Sequence, residues 1–458
     1  MSRFVSFLSR FALLVPLYAL AQQQPSLSGF VTDPGSPETF TMNGIRVICT
    51  STTGYVKVNA AGSVDRGGEG KTFDTSEHIG GKSCPQHFLG ENVMVYGPFD
   101  KKTNTITATR VEQKSFVGSS VVGFAVIDRM LTEERASDGA AMLIVRADGY
   151  RIAIAKATKS TFNPPMVGLG EVQTNVWIRY SGRLRADGTI LADEAAFSKN
   201  DIAKQEERLR DKNEFDPSAV DEEDRQRHIS KSIHGLDAHR IPAYHDDAMQ
   251  QRVDAIGARL IPPFQRMLSE GDPSKINFRF QLVDQKKLRD GLALPSGIIL
   301  VPYQVVLRLQ NDTQLATVLA DGIATAIEKE GLRELPAKER MKALQIAGTA
   351  GGVFVPGLGF VTGFANHAMK NNMDRHAEAQ SGRVSLGFLH DAGFDITQAP
   401  VTWWLLASTK PKDLKDIKMP FRASALYGIL GTTWRQQPIL TAKSSTRLHA
   451  AEGTHESH

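Results

Sequence analysis

The chain has 458 residues, 41% of them hydrophobic and 23% charged, with 39 Gly and 21 Pro. Such a makeup excludes a disordered, fibrous or multi-span membrane protein and leaves a globular chain long enough for two to four domains. The net charge of +4 falls by two without Arg3 and Arg10, and basic and acidic residues alternate in every segment, which gives nucleic acid no basic surface to bind.

Residues 1–21 read as a signal peptide. Arg3 and Arg10 make a basic start, Phe11 to Leu20 is a short apolar run, and Ala19-Leu20-Ala21 is a small-x-small site that places cleavage after Ala21, before Gln22. A membrane anchor is the competing reading, but the run is about half of the ~20 residues that a spanning helix needs. No Cys follows the cleavage site to carry a lipid. The chain is therefore expected to be exported, to the periplasm or beyond. An oxidising compartment makes the two cysteines, Cys49 and Cys84, a candidate disulfide closing a loop that holds the Gly-rich stretch Arg66 to Lys71. A two-Cys metal site is the competing reading, and it lacks partners at short spacing.

Residues 26–115 and 118–198 each predict a small antiparallel barrel. Short Val/Thr/Phe/Ile-rich runs are broken by turn residues, and Asn43-Gly44, Asp148-Gly149 and Asp187-Gly188 each join a pair of β-forming runs, the strongest short hairpin signal. The two modules end alike: Asn92 to Gly97 then Thr105 to Ala108, against Asn175 to Gly182 then Thr189 to Ala192. This grammar predicts a duplicated OB-like barrel, and the first module resembles small β-barrel domains of exported bacterial proteins. Such barrels bind oligonucleotides, sugars or proteins. Here the oligonucleotide version lacks a basic and aromatic groove, leaving a structural, docking, glycan-binding or envelope-binding role.

Gly70-Lys71-Thr72 imitates the end of a P-loop, but Asp65 stands where its first glycine belongs; Gly357-Leu358-Gly359 with Gly363 misses the dinucleotide fingerprint by one position. Both read as loops.

Residues 199–240 form a linker in which about half the positions are charged, with both signs mixed, as in a solvated linker or exposed helix. From 241 to 440 the period becomes helical. Met249, Val253, Ile256 and Leu260 share a face until Pro262-Pro263, with Asp246 and Asp247 at the helix start. Phe278 to Val283 and Ile298 to Val301 read as strands. Asn311-Asp312-Thr313 caps a helix whose Leu315, Val318, Leu319, Ile323 and Ile327 line one face to Glu330. The expected fold is α+β, mostly helical.

This third region resembles a known family. Asp290-Gly291-Leu292-Ala293-Leu294-Pro295-Ser296-Gly297 with the strand Ile298 to Val301, then Gln314 to Thr325, is similar to the Asn-Ala-x-Ala-Leu-Pro-Gly-Gly strand and the His-Glu-x-x-His helix of zinc metallopeptidase family 48, the group of CAAX prenyl endopeptidases and the HtpX protease. His376-Ala377-Glu378-Ala379-Gln380 through Ala392-Gly393-Phe394-Asp395 is similar to its Glu-x-Glu-Ala-Asp helix and Ala-Gly-Tyr-Asp ending, spaced about two residues wider than usual. The resemblance covers about residues 240–410. It implies a metallopeptidase-like fold with a zinc site at Asp321, Gly322, Thr325 and His376, yet none of the four keeps the family residue. Asp321 and His376 could ligate a metal, with His367 or His390 as a third donor. Thr325 is a poor zinc ligand, Gly322 has no group to activate water, and Gln380 lacks the carboxylate that would orient a ligand. The resemblance thus implies the fold and withdraws the activity, with zinc as cofactor only if an altered site survives.

No Gly-x-Ser-x-Gly elbow and no Cys–His context suggests a nucleophile. Uncharged Ile346 to Ala365, with small residues four apart, could touch a membrane peripherally or fill a soluble core, but Pro356-Gly357 cuts it into pieces too short to span. Residues 441–458 are expected to be a disordered tail whose histidines are too scattered for a metal site. The sequence is thus read as an exported envelope protein, a non-catalytic scaffold or binder of a protein or peptide partner. A metal-dependent endopeptidase with an altered site and a ligand-binding role for the barrels are its rivals.

Overall fold

A computed structural model describes residues 25–36, 38–58, 85–131, 143–221, 238–286, 288–329, 369–408 and 419–435, with backbone alone at 205 and 369–378. The leader, Cys84, both glycine-rich near-motifs, the run Ile346 to Ala365 and the tail 441–458 lie outside the described residues.

The first barrel comprises β1 (Leu27–Ser36), β2 (Thr39–Met42), β3 (Ile45–Val58), β4 (Asn92–Tyr96), β5 (Phe99–Asp100) and β6 (Thr105–Lys114). Five strands run in the order β3-β2-β1-β4-β6, and β3 closes the ring by pairing parallel to β6, Val47 opposite Ile106. Period-2 alternation turns Val31, Phe40, Met42, Val47, Val93, Val95 and Ile106 inward, each at most 1% exposed. At the predicted Asn43-Gly44 turn both residues have positive φ, +50° and +77°, as a tight two-residue hairpin requires.

The second barrel comprises β7 (Ser120–Met130), β8 (Leu143–Ala147), β9 (Tyr150–Ile154), β10 (Lys159–Phe162), β11 (Val176–Leu184) and β12 (Thr189–Lys199). Its ring β9-β8-β7-β11-β12 again closes with the third strand parallel to the last, Ile152 opposite Ile190. The two segment pairs that match in sequence are thus equivalent in space, β4 with β6 and β11 with β12. Two five-stranded closed barrels of one connection order are the OB-like arrangement that the hairpin grammar predicts.

Next come α1 (Lys204–Lys212), α2 (Asp247–Leu260), α3 (Pro263–Met267), β13 (Arg279–Val283), β14 (Leu292–Ala293), β15 (Ile298–Pro302), α4 (Tyr303–Arg308), α5 (Asp312–Ile327), α6 (Met369–Asp391), α7 (Gln398–Ala407) and α8 (Phe421–Leu430). A small sheet, β13-β15-β14, backs the helices. The predicted caps hold: Asp246 accepts from Met249 N at 2.9 Å and Asn311 from Gln314 N at 2.9 Å. Among the described residues no helix is long and apolar enough to cross a membrane.

The three units share their packing. The largest core joins Leu315, Val318, Leu319 and Ile323 of α5 and Val384 and Leu389 of α6 to Phe124, Val126 and Trp177 of the second barrel. Phe124 and Trp177 stack with ring centroids 4.6 Å apart and planes 6° from parallel. At the first barrel, Arg435 lies 3.6 Å over the Phe88 ring. Buried apolar side chains at such joints each contribute about 1.5–3 kcal/mol, which fixes both barrels onto the helices.

Candidate functional site

Helix α5 is the axis of the third unit. Ala316, Ala320, Gly322 and Ala324 let neighbours approach where larger residues would hold them off, and every residue from Gln314 to Ala324 is buried. That placement puts Asp321, Gly322 and Thr325 side by side on the helix. His376 lies on α6, which packs along α5, but its side chain is outside the described residues, as is His367.

Each described position is adapted to packing. Asp321, 7% exposed, directs Oδ2 to within 3.5 Å of Arg422 Nη1 on α8. The same Arg422 nitrogen is 3.3 Å from Asp290, before β14, and its guanidinium lies 4.2 Å over the Trp403 ring of α7. Asp321 therefore already faces a fixed cation that would repel a dication. Gly322 packs against β15: a Cβ there would stand 3.0 Å from Ile299 Cγ2 and 3.1 Å from Cδ1. A glutamate base at this position would have to displace Ile299 from between helix and sheet. Thr325, partly exposed, lines a cavity of about 20 Å3 together with Arg210, Glu206 and Lys329. Two cations and a closed cleft do not suit zinc, and the residues present do not fit that metal.

The cleft is closed by the segment expected to be a solvated linker. Glu206 of α1 is 3% exposed and accepts from Arg210 at 2.8 Å and from Lys329 at 2.8 Å. Lys329 follows α5 with φ +55°, an uncommon left-handed non-glycine position, and its ammonium lies 5.6 Å from the Trp177 ring centroid. Burial holds the Lys329 ammonium below its usual pKa range, with Glu206 acting in the opposite sense. Ser296 donates to Asn213 O at 2.8 Å and ties the end of α1 to the loop after β14.

Gln380, where the sequence resemblance would place an orienting carboxylate, bonds to the second barrel instead. Its amide donates to Phe124 O at 2.7 Å and to Glu328 Oε2 at 3.2 Å, while Glu328 Oε1 accepts from Val126 N at 3.2 Å. Helices α5 and α6 are thereby bonded to β7 through side chains.

His390 lies at the other end of α6, in a second buried charge cluster. Arg146 on β8 donates to Asp128 at 2.6 Å and to Asp391, the last residue of α6, at 2.6 and 3.1 Å; Arg129 also pairs with Asp391. Burial raises the Asp128 pKa to about 6 against the pull of Arg146. For Asp391, burial acts upward but is outweighed by hydrogen bonds from His390 and Arg146 and by the charges of Arg146 and Arg129, which hold it well below the usual carboxylate range. Beside this cluster, Arg383 of α6 pairs with Asp148 at 2.5 Å, and Asp148 accepts from Tyr180 at 3.0 Å.

Among the described residues, no three His, Cys, Asp or Glu side chains gather as a metal site. Sequence reasoning missed Lys329, Glu206 and Arg422; the mixed-charge run that holds Glu206 looks solvated until its partners are placed. Cys49 is 6% exposed in the first barrel's core and is not a free thiol. No family model matches the chain, and no curated protein matches it.

Proposed function

We propose that the third region is a degenerate relative of zinc metallopeptidase family 48 that acts without catalysis, as a scaffold for a protein partner in the cell envelope. One observation carries this reading: the residues at the family's ligand and base positions serve packing and ion pairing, Asp321 with Arg422, Gly322 against Ile299, and Thr325 beside the Glu206–Lys329 pair. A zinc peptidase keeps an open metal position and a proton acceptor next to it. Among the described residues, the cavity beside Thr325, of about 20 Å3, has room for about one water and for no peptide side chain. A scaffold role is therefore favoured over peptide binding in the cleft. The leader-like start and the alternating surface charge support export and a protein partner over nucleic acid.

The test is twofold. The full chain, incubated with an unfolded protein and added zinc, is expected to leave it uncleaved; zinc-dependent cleavage abolished by Asp321→Ala would refute the reading. Immobilised full chain is expected to retain a defined polypeptide from an envelope fraction, and failure to retain any would count against the scaffold role.

A further inference from the structure

Where β7, β8 and β9 meet the end of α6 and the turn after α8, they enclose a cavity of about 110 Å3 lined by Leu131, Arg146, Arg151, His390, Thr433 and Trp434. On the scale at which a cavity of about 150 Å3 takes up benzene, it admits about four non-hydrogen atoms. Arg129 also lines it and is half exposed, so the wall reaches the surface. Its position is separate from the cleft beside Thr325, and nothing in the proposed scaffold role uses it.

Three buried polar atoms on this wall point to a ligand. Thr433 is 1% and Trp434 3% exposed, and among the described residues Thr433 Oγ1, Trp434 Nε1 and His390 Nε2 are buried with no hydrogen-bond partner. Burial strips such groups of water, and native interiors nearly always replace it. The Trp434 and His390 rings are neighbours, with centroids 5.2 Å apart and planes tilted by 48°, so the unmet groups lie within reach of one small molecule.

The chemistry of the three atoms selects that molecule. An indole N–H only donates, and a hydroxyl donates or accepts. His390 turns Nδ1 to Asp391 at 3.6 Å, which favours the tautomer protonated at Nδ1 and leaves Nε2 as an acceptor. The guanidiniums on the wall are engaged, Arg146 with Asp128 and Asp391, Arg129 with Asp391, and Arg151 with the charge of Asp187. Recognition is therefore left to the three unmet atoms, which call for a small group that both accepts and donates.

We propose that this cavity binds a neutral carboxamide group, carried by a small free amide or by an acetamido sugar. The carbonyl oxygen has two lone pairs, for Trp434 Nε1 and Thr433 Oγ1, and the amide N–H meets His390 Nε2. A carboxylate has the same shape, but it sets an oxygen against the Nε2 lone pair and leaves that atom unmet. Leu131 on the same wall suits the adjoining methyl group.

The test follows the indole N–H resonance of Trp434 in the full chain carrying nitrogen-15 tryptophan, assigned with Trp434→Phe, during titration with acetamide, N-acetylglucosamine and acetate. Acetamide is expected to shift that signal saturably, with a dissociation constant of about 1–10 mM for a ligand so small. Acetate is expected to bind at least about tenfold more weakly. His390→Asn keeps a donor toward Asp391 but lacks Nε2. That variant and the near-isosteric Thr433→Val are each expected to weaken acetamide about fivefold, while Lys159→Gln on the exposed face leaves it unchanged. Tighter binding of N-acetylglucosamine than of acetamide would identify an acetamido sugar as the natural ligand; equal or weaker binding would identify a free amide. Absence of a saturable shift in the wild-type chain, acetate binding as tightly as acetamide, or unchanged affinity in folded Thr433→Val and His390→Asn would each overturn the proposal.

Discussion

The ammonium of Lys329 lies 2.8 Å from Glu206 Oε2, with both side chains 4% exposed. Lys329 lies just after the central helix and Glu206 belongs to a stretch that reads as linker, so the pair locks α1 over the cleft beside Thr325. Glu206→Ala leaves Lys329 as a buried charge without its carboxylate. Breaking such a pair from one side costs about 3–5 kcal/mol. The urea midpoint of Glu206→Ala is expected to fall accordingly, whereas alanine at the neighbouring exposed Glu207 changes stability by less than about 0.5 kcal/mol.

Stability is expected to depend on pH through Asp128. Its folded pKa, about 6, lies above the unfolded value near 3.9, so the folded state holds more protons between the two. The resulting stabilisation is complete below about pH 4 and is lost as pH rises through about 6, at most about 3 kcal/mol. Asp391 has the opposite sign: its depressed pKa stabilises above the ordinary carboxylate range, and that contribution is lost only in stronger acid, outside this window. Unfolding at pH 4.5 and pH 7 is expected to show a smaller difference in Asp128→Asn than in the wild type; equal differences would assign the dependence elsewhere.

Gly149 tests the joint between the second barrel and α6. Its φ is +73°, and a Cβ would lie 2.4 Å from Arg383 O. Gly118 shares a positive φ of +82° but has nothing within 4 Å of its Cβ. Alanine at Gly118 is expected to cost about 1–2 kcal/mol of backbone strain alone, and at Gly149 more than that, because the joint must open. Thermal unfolding of the two variants separates the two effects.

Cys49 and Cys84 are expected to be joined. Intact mass under non-reducing conditions should be lower by two hydrogens than after reduction, and reduction should cost about 2–4 kcal/mol of stability. Two alkylatable thiols in the native protein would exclude the pairing.

Much of the fold is legible in the sequence because its signals are local. Asn43-Gly44 and Asp148-Gly149 adopt the positive φ values that their hairpins demand, and Asp246 and Asn311 cap the helices that they precede. Longer-range features are not legible. Periodicity gives α5 one apolar face, but packing against β15, α2, α6 and α7 buries it nearly all round. The charged segment after Asn200 looks solvated because nothing local reveals that Glu206 meets a lysine more than a hundred residues later. The cavity at Arg151 is invisible for the same reason: its walls come from β7 to β9, α6 and the turn after α8.

The central claim, that the third region has given up its metal chemistry, is tested most directly by the zinc content of the purified full-length protein, measured by elemental mass spectrometry beside Asp321→Ala and His376→Ala. Far less than one zinc per chain, unchanged in both variants, is the expected result. One zinc per chain, lost when either residue is replaced, would contradict it.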